Sequence, residues 1–355
     1  MIGKALLGAA KSGTAYDFLA VQHLTTPFLT VYPWSNSGFG TKYTNPGTLP
    51  AATATSNVTC PRFTTTGDVL AASSSTTSPQ AYRWSQSGFG TKYANPASVL
   101  PGAGGGVSFN PSGTVLASSH AQSPYITAYN WTFASGFGSK FSNPATLPGS
   151  STQTCFFPVF SPDGLYLAVG QGNAPLIHVY NWSGSGFGTK LANPSSGAST
   201  TCYGIVFNPT TTAIAFTTAA SPFIQAYPWS ASGFGTKFSN PSTLPTGAGN
   251  GVDFSPNGTQ IAVAHNTSPF VSVYPWSNST GFGTKYANPA TLPTGIAYGV
   301  RFSLAGDAIA VAHTTTPFIT AYPWSNSTGF GTKYANPATL PTGNGYGLTF
   351  GRVVV

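Results

Sequence analysis

The apolar positions of this chain fall in short alternating runs rather than at helical spacing. Phe270-Val-Ser-Val-Tyr-Pro-Trp276 sets Phe270, Ser272 and Tyr274 against Val271 and Val273, the two-faced pattern of a β-strand. Two further strands precede it, Gly251-Val-Asp-Phe254 and Ile261-Ala-Val-Ala-His265. Between them lies the turn Ser255-Pro-Asn-Gly258, with Gly where positive φ is wanted. A glycine loop, Gly281-Phe-Gly283, then leads to a short run around Thr284-Lys-Tyr-Ala287. The proline-rich segment 287–295, ANPATLPTG, returns to the next unit. Each unit thus predicts four strands, here called a to d.

The unit is written seven times. Residues 275–295 return letter for letter at 323–343, and looser copies occur elsewhere. Seven tryptophans mark the period: Trp34, Trp84, Trp131, Trp182, Trp229, Trp276 and Trp324, spaced 50, 47, 51, 47, 47 and 48 residues apart. A period of about 40–50 residues holding several short strands points to a propeller blade. The ends matter most. The first unit has b (Asp17 to His23), c and d but no a, and one extra a, Tyr346 to Phe350, follows the last unit. The expected fold is all-β: a seven-bladed β-propeller of four-stranded antiparallel blades, closed by the C-terminal strand pairing with the N-terminal one. Residues 14–355 form the propeller and 1–13 an N-terminal arm. The apolar run Ala5 to Ala10 is too short and glycine-broken for a leader core, so the arm is read as retained.

Composition changes the picture in two ways. Only 5% of residues are charged, against roughly 25% in an average globular chain, and there is no Glu. Aromatic residues at 14% nevertheless supply a core. The net charge of +8 is also patterned: Lys42, Lys92, Lys140, Lys190, Lys237, Lys285 and Lys333 occupy one position per unit, at the start of strand d. As a basic rim they would meet an anionic partner; as edge residues they would discourage strand-to-strand aggregation. No run approaches the ~20 apolar residues of a membrane helix.

Candidate chemistry is sparse. His23, His120, His265 and His313 stand four residues before the Pro of the b–c link, where other units carry Ser75, Gln171 and Thr218. One His per blade cannot converge on a metal, so these and His178 read as structural. Asp68, Asp163 and Asp307 lie at a–b turns, with Asp17 and Asp253 on strands of other blades. No spacing promises the carboxylate pair of a glycosidase-type hydrolase. Cys60, Cys155 and Cys202 show no zinc or disulfide pattern, and Cys155 and Cys202 fall at equivalent positions near the axis. The repeated Trp, Tyr and Phe read either as inter-blade core or as sugar-stacking platforms; the seven Trp are taken as structural. Neither metal nor cofactor is expected.

The strings S-P-[DN]-G, I-A-V-A-H, S-P-F and A-Y-P-W resemble the blades of WD-repeat-type propellers. The tail GFGTKYANPATLPTG is similar to repeats in propeller proteins of tailed bacteriophages. The Trp-Asp pair and the Gly-His before strand a are missing, so the WD-repeat Asp–His network does not carry over. The resemblance and the lack of catalytic motifs imply a non-enzymatic structural or adhesive virion protein, on the tail or head surface. Its partners would be other virion proteins or host surface glycans, met by one face of the disc, by the N-terminal arm or by the Lys ring. The alternative is a secreted, lectin-like propeller that recognises host glycans. Nucleic acid, a third reading through the Lys ring, is disfavoured as partner, and a membrane is not expected.

Overall fold

The computed structural model describes residues 13–51, 60–74, 76–149, 155–194 and 200–355. These form seven four-stranded antiparallel sheets, and each inner strand touches the inner strands of the two neighbouring blades. The inner strands are Gly345–Val354, Arg62–Phe63, Gly104–Phe109, Cys155–Phe160, Cys202–Phe207, Gly249–Phe254 and Ala297–Phe302. The chain is therefore a closed seven-bladed β-propeller. The arm expected before residue 14 lies, but for Gly13, outside the described residues, as does Ser75.

Closure is made in the first blade. Its sheet runs Gly345–Val354, Ala15–His23, Leu29–Ser35, Gly38–Phe39. The first and last strands pair from Ala15 opposite Val354 to Val21 opposite Leu348, with a bulge beyond Gln22. Arg352 grips Asp17 with two N–H groups, Nε at 2.5 Å and Nη2 at 2.7 Å. A closed ring leaves no open blade face at either end of the chain, so apolar residues on both sides of every sheet are covered.

The repeat letters explain the packing. Each Trp is buried against the Phe that closes its own inner strand, the Phe of its glycine loop, and a ring of the preceding blade. Trp276 meets Phe254 at 5.1 Å, Phe282 at 5.2 Å and Phe238 at 5.1 Å, all edge to face. Two residues before each Trp stands a Tyr whose ring is wholly buried. Among the described residues, in five blades its hydroxyl donates to a backbone carbonyl of the preceding d–a loop: Tyr32 to Thr339, Tyr129 to Ser98, Tyr180 to Thr146, Tyr274 to Thr243 and Tyr322 to Thr291, at 2.7–2.8 Å. The Pro-rich return is thus latched onto the next blade.

Two local expectations are corrected. The repeated Lys does not begin strand d. It ends the strand in three blades, as in Gly88–Lys92, and lies beyond a two-residue strand in the others. Its Nζ donates to the Asn three residues on, for example Asn45 at 2.5 Å and Asn95 at 2.9 Å, so each Lys pins the turn that follows. In blade 2 the b–c link is shorter. Gln80 pairs with Ala72 where Thr30 pairs with Val21, which puts Ser74, not Ser75, in the register of His23.

Candidate functional site

Strand a carries the site because seven copies of it face one another around the axis. At the residue before the closing Phe, the ring reads Thr349, Arg62, Ser108, Val159, Val206, Asp253 and Arg301. Three of these seven are charged in a chain where charge is scarce. Two residues earlier the ring reads Gly347, Cys60, Gly106, Phe157, Gly204, Gly251 and Gly299. The glycines let neighbouring strands approach: a Cβ on Gly251 would lie 2.6 Å from the Tyr298 carbonyl oxygen.

Between these levels lies a narrow cavity of about 20 Å³, room for about one water, continuous with open space at its mouth. Arg62, Arg301, Cys60, Tyr298 and Tyr346 are among the residues that line it. Arg301 Nη1 lies 3.7 Å from Asp253 Oδ1 and donates to the Val252 carbonyl at 2.9 Å. Asp253 Oδ2 accepts the Phe302 N–H at 2.9 Å. The guanidinium of Arg62 donates to Cys60 Sγ, and Arg301 Nη2 reaches the same sulfur at 3.9 Å. Burial pushes the Asp253 carboxyl above the usual carboxylate range, opposed by Arg301, by the Phe302 N–H and by Arg62. Burial lowers Arg62. For Arg301 burial also works against the charge, but Asp253 and Cys60 outweigh it and the group ends raised.

Part of the lining is aromatic. Tyr298 and Tyr346 lie with ring centroids 4.7 Å apart and planes tilted by 33°. Burial, then the neighbouring Tyr346 and Tyr203, push the Tyr298 hydroxyl up. These residues sit at the start of their inner strands, on the face that carries the b–c and d–a loops.

The residues singled out from the sequence lie elsewhere. The Lys side chains stand at the rim, one per blade, and do not converge. The seven Trp are between blades, at most 7% exposed. His23, His120, His265 and His313 are buried, and each Nε2 pairs with a Thr or Ser hydroxyl of strand c at 2.8–3.1 Å. Among the described residues no three His, Cys, Asp or Glu side chains gather as a metal site would need. Cys202 is buried and free, and its thiol is pushed well up by burial. Arg62, Arg301 and the aromatic lining were not singled out, and Asp253 was noted only as a strand residue. Comparing one column of the repeat across all seven units, the position before the closing Phe, is the signal that finds the charged trio.

No protein-family model matches the chain, and neither does any curated protein. Solved structures do. One from Bacteroides uniformis, provisionally assigned as a 6-phosphogluconolactonase, is 15% identical over 94% of this chain and 99% of its own, with a TM-score of 0.71. The periplasmic gluconolactonase of Pseudomonas aeruginosa is 15% identical over 95% and 99%, at 0.69. A structure of the mitotic checkpoint complex is 18% identical over 80% and 78%, at 0.56. At such identity the likeness shows the fold alone. The seven-bladed propeller with WD-repeat-like blades stands, and the resemblance to phage repeat proteins finds no support. The expectation of a non-enzymatic virion protein is corrected on two counts. Propellers of this architecture include chains named as lactonases. The ring also brings together charged side chains that lie far apart along the chain, Arg62, Asp253 and Arg301 from three blades.

Proposed function

We propose that this chain is a hydrolase that opens a sugar lactone in the axial pocket. The observation that carries the reading is the meeting of two guanidinium groups with one burial-raised carboxylate beside a half-open cavity. The names of similar propellers agree with it. In this reading the sugar enters past the Tyr298–Tyr346 pair, whose rings suit the apolar face of a pyranose. Its ester carbonyl oxygen takes hydrogen bonds from Arg62 and Arg301, which stabilise the negative charge that develops when water adds to the carbonyl carbon. Asp253 accepts the proton of that water. A raised pKa brings a carboxylate closer to the working pH and makes it a better base. The tetrahedral adduct collapses with cleavage of the ring C–O bond. The ring oxygen takes the proton back from Asp253 and leaves as a hydroxyl, giving the open-chain hydroxy acid.

The test is hydrolysis of glucono-1,5-lactone and its 6-phosphate by purified protein, corrected for spontaneous opening. Turnover above background, reduced about 100-fold in Asp253→Asn, is the expected result. A rate equal to that of buffer for both lactones would overturn the proposal.

A further inference from the structure

The axial pocket holds more positive than negative charge. Arg62 and Arg301 face a single carboxylate, Asp253, which is the one acidic side chain at this level of the ring. Only one nitrogen of Arg301, Nη1, is committed to oxygen acceptors: the carboxylate at 3.7 Å, the Val252 carbonyl at 2.9 Å and the Val300 carbonyl at 3.1 Å. Nη2 of Arg301 reaches only the Cys60 sulfur. Arg62 uses Nη1 on the same sulfur and on the Pro61 carbonyl at 3.1 Å. Each arginine therefore keeps N–H groups without an oxygen partner among the described residues. Enclosed charge is costly unless paired, and a guanidinium fork matches the two oxygens of a carboxylate.

We infer that the axial pocket is a binding site for one small carboxylate anion of the aldonate type, held by Arg62 and Arg301 with its polyol chain toward Tyr298 and Tyr346. The identity of the anion rests on the hydrolase reading; the need for an anion does not. A consequence follows for the reaction. A lactone is neutral and its hydrolysis product carries a carboxylate, so the pocket holds product more tightly than substrate and is inhibited by it.

The experiment is calorimetric titration of the full chain with gluconate, with sorbitol as the neutral counterpart of the same chain length, and with inorganic phosphate. Gluconate binding at least tenfold tighter than either, and at least tenfold weaker in Arg62→Gln and in Arg301→Gln, is expected. Equal affinity for gluconate and sorbitol, or no binding of either, overturns the inference using wild-type protein alone, so variants that fail to fold do not decide it. Phosphate binding as tightly as gluconate overturns the carboxylate assignment. The two readings fail separately. Turnover without gluconate binding removes the anion site and keeps the hydrolase; gluconate binding without turnover does the reverse.

Discussion

Leu19 stands opposite Phe350 in the sheet that joins the two ends of the chain. Both are buried in one core with Trp34 and Ile319, so the last strand completes a hydrophobic cluster that reaches into blade 7. Deleting 345–355 removes the partner of Ala15–His23 and the inner wall of the first blade. Such a truncation is expected to lose cooperative unfolding and to aggregate through the bared strand. Circular dichroism melting and gel filtration would show it.

Asp253 neutralises part of a charge that the axis could not otherwise carry. Asp253→Asn leaves Arg62 and Arg301 without a carboxylate and should cost about 3 kcal/mol. Adding Arg301→Gln in the same chain should recover part of that loss, because the orphaned charge goes with it. Denaturant unfolding of the single and double variants measures the coupling.

The glycine level of the ring is fixed by contact. Gly251→Ala would press a methyl group against the Tyr298 carbonyl, a backbone atom that cannot swing away. The blades would have to separate at the pocket, at a cost of about 1–3 kcal/mol. Gly47, with open space around its Cβ position, is the control and should tolerate Ala. Thermal melting of the two variants compares them directly.

The fold was legible because the chain repeats it. Trp spacing sets the blade count, and the strand missing at one end and added at the other imply closure. The site was not legible in the same way, because it lives in differences between copies. Arg62, Asp253 and Arg301 replace Ser, Thr or Val in one column, and only ring geometry turns that column into a cluster. The Lys column was conspicuous for the opposite reason. It repeats without change because each copy does the same local job for the Asn three residues on. The Ser75 register was missed because a shortened link cannot be seen from one Pro.

The tyrosine latch gives a modest, local prediction. Tyr274→Phe keeps the buried ring and removes the hydrogen bond to the Thr243 carbonyl. The loss should be about 1 kcal/mol, slightly more if the carbonyl stays dry. Tyr82, whose hydroxyl has no partner among the described residues, should accept Phe with little loss. Chemical denaturation of the two variants in parallel separates the hydrogen bond from the ring.

The histidines make the fold acid-sensitive. His23, His120, His178, His265 and His313 are each lowered from 6.5 to about 4, chiefly by burial, with a nearby Lys adding to the shift. The unfolded chain takes up these protons near pH 6.5 and the folded chain only near pH 4. The contribution to stability is therefore complete above pH 6.5 and is lost as pH falls from there towards 4. Asp253, raised by burial, works in the opposite sense, but it is one group against five. Each His contributes on the order of 1–3 kcal/mol at neutral pH. His265→Gln keeps a side chain able to bond Ser272 and removes one titration, so its stability should fall less steeply between pH 6.5 and 4 than that of the parent. Urea midpoints across that range test this, and parallel curves for parent and variant would rule it out.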